Sequence, residues 1–258
     1  MIIRKSAHEI ERMARAGVVV ADVLALIGER ARPGVTTEEL DALAEEFIRS
    51  QGGAPTFKGY RGYPAAICTS PNDMVVHGIP GPYALAEGDI LSVDVGVTLE
   101  GFVADSAYTF AIGEISADVE RLLEGCRGAL AAGIEQCQAG NRLSDISHAI
   151  QVATEELGFS VVRSLVGHGV GRSMHEEPQI PNYGPPGRGP VLAPGMTLAI
   201  EPMINAGGPD IVVHDDQWSI STADGSLSAH FEHTVAITED GPRILTRAKT
   251  PARAGLLP

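Results

Sequence analysis

Two spacings of apolar residues take turns along this chain. Ser6 and Glu9 form a capping-box pattern in front of a helical periodicity that runs to about Arg30 and ends at Pro33-Gly34. Thr36 and Glu39 repeat the pattern, and the helix they open stops at Gly52-Gly53. A third helical stretch opens at Ser116, carries Leu122, Leu123 and Leu130, and ends near Gly140; a fourth runs from about Ser144 to Gly158. The interval Gly34 to Gly52 matches Gly140 to Gly158, with Leu40 in phase with Ile146. Each helix pair is followed by Gly-rich, strand-like sequence, so an internal duplication of roughly a hundred residues per half is one reading. Chance similarity between amphipathic helices accounts for the helical pattern equally well.

The strand-like segments alternate with period two. In Asp89 to Val97, Leu91, Val93, Val95 and Val97 share a face, and Asp94 lies on the other between Ser92 and Gly96. In Phe102 to Ile112, the bulky Phe102, Tyr108, Phe110 and Ile112 oppose Asp105, which sits with Ala107 and Thr109. Met196, Leu198 and Ile200 oppose Glu201, and Phe231, Val235 and Ile237 oppose Glu232. Four strands thus each carry one acid on a face of small residues. A carboxylate in an apolar strand is costly to bury unless its charge is compensated, and small neighbours leave room for whatever compensates it.

Composition narrows the classes. The 258 residues are 44% hydrophobic and 20% charged, as in an ordinary globular protein, and the formal net charge of -14 argues against a nucleic-acid binder. Cys68, Cys126 and Cys137 form no CxxC pair, which predicts reduced thiols and a cytoplasmic setting. The segment from Met1 to Ser6 shows no apolar signal region, and Gly17 to Ile27, interrupted by Asp22, is too short to span a bilayer.

Four converging carboxylates would repel one another and take up protons unless cations sit among them; two divalent ions would neutralise all four. His168, flanked by glycines in Gly167-His168-Gly169-Val170-Gly171, offers a neutral imidazole as a further ligand. Such an oxygen-rich set with one nitrogen and no thiolate suits Mn, Co, Fe or Zn in a reactive site better than a structural zinc.

The segments Asn72-Asp73-Met74-Val75-Val76-His77-Gly78-Ile79-Pro80, Ser92-Val93-Asp94-Val95-Gly96, Gly167-His168-Gly169-Val170-Gly171, His175-Glu176-Glu177-Pro178, Ile200-Glu201-Pro202-Met203 and Phe231-Glu232-His233-Thr234 together resemble type I methionine aminopeptidase, in family order and over the chain to about Arg247. The resemblance implies an α/β (α+β) pita-bread fold, with two pseudo-symmetric halves and antiparallel sheet around a dinuclear metal site. The halves would cover about 1–113 and 114–248 of one catalytic domain, followed by a short tail over 249–258. It implies an enzyme that removes N-terminal methionine from nascent proteins and peptides when the next residue is small. By the same resemblance Asp94 would chelate one ion, Asp105 and Glu232 would bridge both, and His168 and Glu201 would bind the other. His77 and His175 match the two non-ligand histidines beside the scissile bond, and Glu201 doubles as proton carrier. Tyr60, Tyr63, Cys68 and Trp218 match the methionine pocket. Phe57 and Met174 depart from the family pattern there, because relatives carry a cysteine and an aromatic at those places. Asn72 and Ser228 match positions that contact a monovalent cation. His8, His148, His214, His230 and His233 fall outside these motifs and are expected to be hydrogen-bonded core or surface residues.

Nascent-chain N-termini, at the ribosome or free, are the expected partners of a cytoplasmic monomer that meets neither membrane nor nucleic acid. A proline-directed aminopeptidase or dipeptidase of the same fold would keep all five metal ligands, but usually carries an extra N-terminal domain, whereas the first helix here begins at Ser6. A non-catalytic pita-bread protein that binds a partner or RNA would lose ligands that are all present here. A type II enzyme would carry a helical insertion, where this chain has only the Pro/Gly-rich loop from Pro181 to Pro194.

Overall fold

The fold follows from giving each helix pair a sheet to cover. The structure, a computed structural model, describes residues 1–247; the tail expected over 249–258 lies outside the described residues. The chain opens with α1 (Ala7–Arg30) and α2 (Thr37–Ser50), followed by β1 (Ala54–Pro55), a 3-10 turn at Tyr60–Gly62, β2 (Cys68–Pro71), β3 (Met74–Val76), β4 (Ile90–Leu99) and β5 (Phe102–Ala111). It continues with α3 (Ala117–Glu135), α4 (Leu143–Glu155), β6 (Ser160–Val161), β7 (Val166–Gly169), β8 (Glu176–Pro181) and β9 (Thr197–Ile200). The last strands are β10 (Met203–Asn205), β11 (Ile211–Val213), β12 (Ile220–Thr222), β13 (Ser228–His230), β14 (His233–Thr238) and β15 (Gly241–Ile244).

Both capping boxes at the first two helices form: the Ser6 and Thr36 hydroxyls accept from Glu9 N and Glu39 N, and the two glutamates accept in return from the cap amides. The third helix ends at Glu135, earlier than its apolar pattern suggests. There the Cys137 N–H bonds the Ile134 carbonyl, and Gly140, at φ +97°, turns the chain so that its N–H reaches the Leu192 carbonyl.

All strand pairs are antiparallel. β4 is flanked by β5 along one edge and by β1 and β2 along the other. A five-stranded sheet runs β15-β14-β9-β7-β8, and two three-stranded sheets, β13-β10-β6 and β11-β12-β3, fill the sides. The expected alternation holds. Leu91, Val93, Val95 and Val97 pack into one buried cluster with Val20, Leu24, Leu40 and Ile48 of the first helix pair. Leu198, Ile200, Val235 and Ile237 pack into another with Leu122, Leu130, Ile146 and Ile150 of the second pair. The Tyr108 ring touches both clusters and stands edge-on to Phe231 at 4.8 Å.

The two sheet systems are joined by side-chain rungs between β5 and residues 230–234. Thr234 Oγ1 accepts from Asp105 N at 3.0 Å and donates to the Asp105 carbonyl at 2.8 Å. Thr109 Oγ1 makes the same pair of bonds to the His230 backbone, at 2.9 and 2.8 Å. Glu232 N reaches the Ala107 carbonyl at 2.9 Å.

One expectation needs correcting. Glu201 and Glu232 do not lie within strands: β9 ends at Ile200 and β14 begins at His233. Pro202 has no N–H to continue the ladder beyond Glu201, and Glu232 has turned its amide across to β5. Both acids are therefore placed by strand ends at the seam.

Two glycines in helices test how closely this core is packed. A Cβ at Gly17 would stand 2.1 Å from the Leu245 carbonyl oxygen, whereas one at Gly128 meets nothing within 4 Å. We expect Gly17→Ala to destabilise the protein by about 1–3 kcal/mol through overpacking against rigid backbone. Gly128→Ala should stabilise it by about 0.5–1 kcal/mol through helix propensity alone. Urea denaturation midpoints should move in opposite directions, and the same direction for both would refute this packing account.

Candidate metal centre and peptide pocket

Strand register brings the acids together. In the β4–β5 ladder Asp94 faces Ala107 and Asp105 faces Gly96, so the two carboxylates are diagonal neighbours on one face. In the β7–β9 ladder His168 faces Ala199, which puts it diagonal to Glu201 just past the strand end. His168 Nε2 lies 3.4 Å from Glu201 Oε1 and 3.9 Å from Asp105 Oδ2. Ligand atoms of Asp105, His168 and Glu232 all fall within 4.8 Å of one another, and all three residues are buried.

The electrostatics of this cluster demand a cation. Burial pushes the Asp94 carboxyl up to about 7. Burial raises Asp105, Glu201 and Glu232 well above the usual carboxylate range, and each is pushed further by neighbouring acids: Asp105 by Glu232 and Asp94, Glu201 by Asp105 and Asp94, Glu232 by Glu201 and Asp94. Asp94 Oδ1, Asp105 Oδ1 and Glu232 Oε1 are buried without any hydrogen-bond partner. Native proteins seldom leave such atoms orphaned, and oxygens of this kind fit a bound cation. His168 completes the set. Burial, aided by the nearby His175, lowers it to about 4, so the ring is neutral. Its Nδ1 sits 2.8 Å from the Gly169 carbonyl, which can only accept, so Nδ1 carries the proton and Nε2 presents a lone pair to the acids. Four carboxylates and one oriented imidazole fit divalent cations well.

The glycines around His168 are required by close approach. A Cβ at Gly167 would meet the Ala199 carbonyl oxygen at 2.5 Å, and one at Gly169 would meet the Glu177 carbonyl oxygen at 2.2 Å. Only bare backbone lets β8 and β9 close on β7 from both sides.

Above the acids lies a cavity of about 290 Å³. Every residue expected at the methionine pocket lines it: Tyr60, Tyr63, Cys68 and Trp218, together with the departures Phe57 and Met174. The Tyr63 ring is edge-on to Trp218 at 5.1 Å, and its hydroxyl donates to the Gly78 carbonyl at 2.9 Å. Phe57 closes the far side, its ring so near Gly96 that a Cβ there would stand 2.7 Å from it. His77 and His175 line the same cavity. His77 holds a left-handed backbone conformation at φ 60°, uncommon for a residue with a side chain, and burial lowers its ring to about 4. His175 is lowered by burial and then by Arg61; its Nδ1 lies 2.8 Å from the Tyr60 hydroxyl, and its ring centroid 4.3 Å from that of His168.

Asn72 and Ser228 also meet, through a 3.0 Å bond from Ser228 N to the Asn72 carbonyl. The Asn72 side chain is committed to Asp89 and Ile90 N, and Ser228 Oγ donates to Asn205 Oδ1 at 2.9 Å. Of the histidines set aside, His148, His214 and His233 do find partners, in the Gly184 carbonyl, Ser221 and Thr246. His230 differs from that expectation. It lines the cavity, its Nε2 is buried without a partner, and that atom lies 3.8 Å from Glu201 Oε2. Its position two residues before Glu232, at the end of a strand, was the available signal.

The comparisons agree with this geometry. The model of metallopeptidase family M24 matches residues 11–239. A methionine aminopeptidase of Clostridium perfringens is 52% identical over 249 residues, covering 96% of this chain and 100% of that protein. The crystal structure of methionine aminopeptidase from Thermotoga maritima superposes with a TM-score of 0.94 at 47% identity, covering 95% of this chain and 99% of that one. The prolidase of Pyrococcus horikoshii superposes with a TM-score of 0.79 at 21% identity over 97% of this chain and 65% of its own, a likeness of fold alone. With buried acids, an oriented imidazole and near-complete coverage by such relatives, the chain belongs to metallopeptidase family M24 and, within it, to the type I methionine aminopeptidases of the pita-bread fold.

Proposed function

We propose that the chain removes the N-terminal methionine of nascent polypeptides and peptides whose next residue is small, and that Asp94, Asp105, His168, Glu201 and Glu232 hold two divalent ions of the Mn, Co, Fe or Zn kind. The observation that carries this reading is the set of buried, unpartnered carboxylate oxygens on the floor of an aromatic pocket. Bound divalent ions supply neutralisation of the clustered carboxylates and a water acidic enough to attack a carbonyl at neutral pH.

The chain's own residues do the rest. A methionine thioether packs well against the Tyr63 and Trp218 rings and the Cys68 side chain, and Phe57 limits the depth of the pocket. The free α-amine would be taken up, as the neutral amine, at the metal-holding cluster beneath, which restricts cleavage to the terminal residue. Burial keeps His77 neutral, so it can accept from the substrate's backbone N–H. With Tyr60 donating to Nδ1, His175 directs its Nε2–H at the scissile carbonyl oxygen, where a donor aimed at the developing oxyanion is worth about 3–4 kcal/mol. Glu201, its Oε2 facing His230, carries the proton to the leaving amine.

The same reading treats residues of about 1–113 and 114–248 as related halves of one catalytic domain, places a monovalent cation beside Asn72 and Ser228, and has the enzyme work as a cytoplasmic monomer on nascent N-termini. Among the described residues no helix is long and apolar enough to cross a membrane.

Stripping the protein with a chelator should abolish methionine release from Met-Ala-Ser, and added Mn or Co should restore it, with Met-Leu-Ser and an Ala-Pro peptide cut at least about tenfold more slowly. Preference for the Ala-Pro peptide would move the assignment to a proline-directed enzyme. In the metal-free protein Asp94 binds its proton more tightly when folded, which favours folding less as pH rises from about 4 to 7. His77, His168 and His230, kept neutral by burial, instead favour it more as pH rises toward 6.5. Above about 6.5 the acids of the cluster still titrate and those histidines do not, so stability should fall there. Saturating metal should remove that slope, and denaturation of both forms across this range measures it. Finally, His175→Ala should lower kcat by about 100- to 1000-fold with both ions retained by elemental analysis. Full turnover in that variant would end the oxyanion role.

A further inference from the structure

The residue after His175 is a buried glutamate that the reaction does not use. The Glu176 side chain is 8% exposed and faces Lys5, 4% exposed, with Lys5 Nζ 2.5 Å from Glu176 Oε2. The other oxygen, Oε1, accepts from Arg172 N at 2.8 Å and Ser173 N at 3.3 Å. One carboxylate therefore closes the turn over residues 171–176, the turn that carries Met174 and His175 to the cavity. Lys5 is itself fixed: its amide donates to the Gly195 carbonyl at 2.7 Å, its ammonium also reaches the Ile3 carbonyl at 3.3 Å, and it directly precedes the Ser6 cap of α1. The last glycine of the His168 motif completes the arrangement, since a Cβ at Gly171 would stand 2.3 Å from Lys5 Cε and 2.6 Å from Glu176 Oε1.

We propose that Lys5 is a positioning residue for the reaction: by holding the Glu176 carboxylate against the turn amides, it fixes the backbone from which the His175 ring reaches the scissile carbonyl. The inference rests on the reading of His175 given above. A buried carboxylate that loses its one cationic partner among the described residues cannot stay where it is without cost. It relaxes toward water, the turn amides lose their acceptor, and the His175 ring loses its backbone reference while Tyr60 still holds its Nδ1. Reacting groups misplaced by about 1 Å cost about 100-fold in rate. Of the methionine-pocket residues named above, Met174 alone stands on this turn; Phe57, Tyr63, Cys68 and Trp218 stand on other segments and are left in place.

The test uses full-length, metal-loaded protein with Met-Ala-Ser as substrate. Lys5→Met is expected to lower kcat by about 30- to 100-fold with KM within about threefold of the wild type and with unchanged metal content. The double variant Lys5→Met/Glu176→Met buries no unpaired charge but leaves the turn amides without that acceptor. We expect its melting temperature to recover while kcat stays at least tenfold low. Recovery of kcat along with the melting temperature would overturn the proposal, because the ion pair would then serve stability alone. Wild-type kcat in Lys5→Met would overturn it as well. His175→Ala, run beside them, separates the two claims: if it keeps full kcat the oxyanion role fails, whatever the Lys5 variants do.

Discussion

Burying four carboxylates in one place is the constraint on which the rest of this structure depends. Each of Asp94, Asp105, Glu201 and Glu232 is raised chiefly by removal from water, and three of them are raised further by one another. The bases beside the acids, His168 and His230, do not discharge that repulsion, because they are themselves neutral in their buried sites. Folding energy from the two helix-covered cores must therefore hold the acids together until cations bind. Antiparallel sheet suits the task, since diagonal positions on paired strands bring side chains close without asking the backbone to bend. The rungs from Thr109 and Thr234 then lock β5 to the segment that carries Glu232, so the acids contributed by separate sheets cannot drift apart.

Much of this was legible in the sequence, and for a physical reason. A strand that buries one face on helices and the other on a charged centre must alternate large apolar residues with small ones, and an acid among the small ones stands out. Leu91 to Val97 with Asp94, and Phe102 to Ile112 with Asp105, show that contrast plainly. Both capping boxes could be read directly, because a cap is a local contract between residues three apart. The pattern picks out Glu201 and Glu232 as acids set among small residues but gives them the wrong local structure. Period-two alternation continues through both positions, yet Pro202 cannot extend the ladder and the Glu232 amide is claimed by Ala107 on another strand. That second cause is a tertiary bond, which no local pattern records.

His230 and Lys5 were missed for related reasons. His230 sits in a short, wholly buried strand with Ala229 and Ser228, where the alternation that betrays a site-facing residue has too few positions to appear. Lys5 reads as a solvated charge at the start of a chain. Its burial arises from a partner 171 positions away. The glycine motif around His168 holds a trace of both facts, for Gly167 and Gly169 yield to neighbouring backbone whereas Gly171 yields to the Lys5 side chain. Glycines crowded by backbone tell of strand approach; a glycine crowded by a charged side chain tells of a charge that has been brought indoors.

These observations divide the labour of the pocket. The acids sit at the seam where both cores press inward, so their positions carry the full rigidity of the fold. Two of the histidines of the cavity sit elsewhere, His77 on a strained turn just after β3 and His175 just before β8. On the function proposed above, residues that follow a carbonyl as it becomes tetrahedral gain from being on short, separately anchored turns, because small adjustments there need not disturb the charge cluster. Gly78 shows how tight that anchoring is, since a Cβ there would lie 2.1 Å from the Thr69 carbonyl oxygen. On the other side the Tyr60 hydroxyl holds the tip of the His175 ring and the Glu176 carboxylate holds the turn beneath it. The charge cluster and the two histidine-bearing turns thus belong to different parts of the fold, and on the proposed function a substitution on either turn should disturb substrate alignment first and leave the acids where the sheets put them.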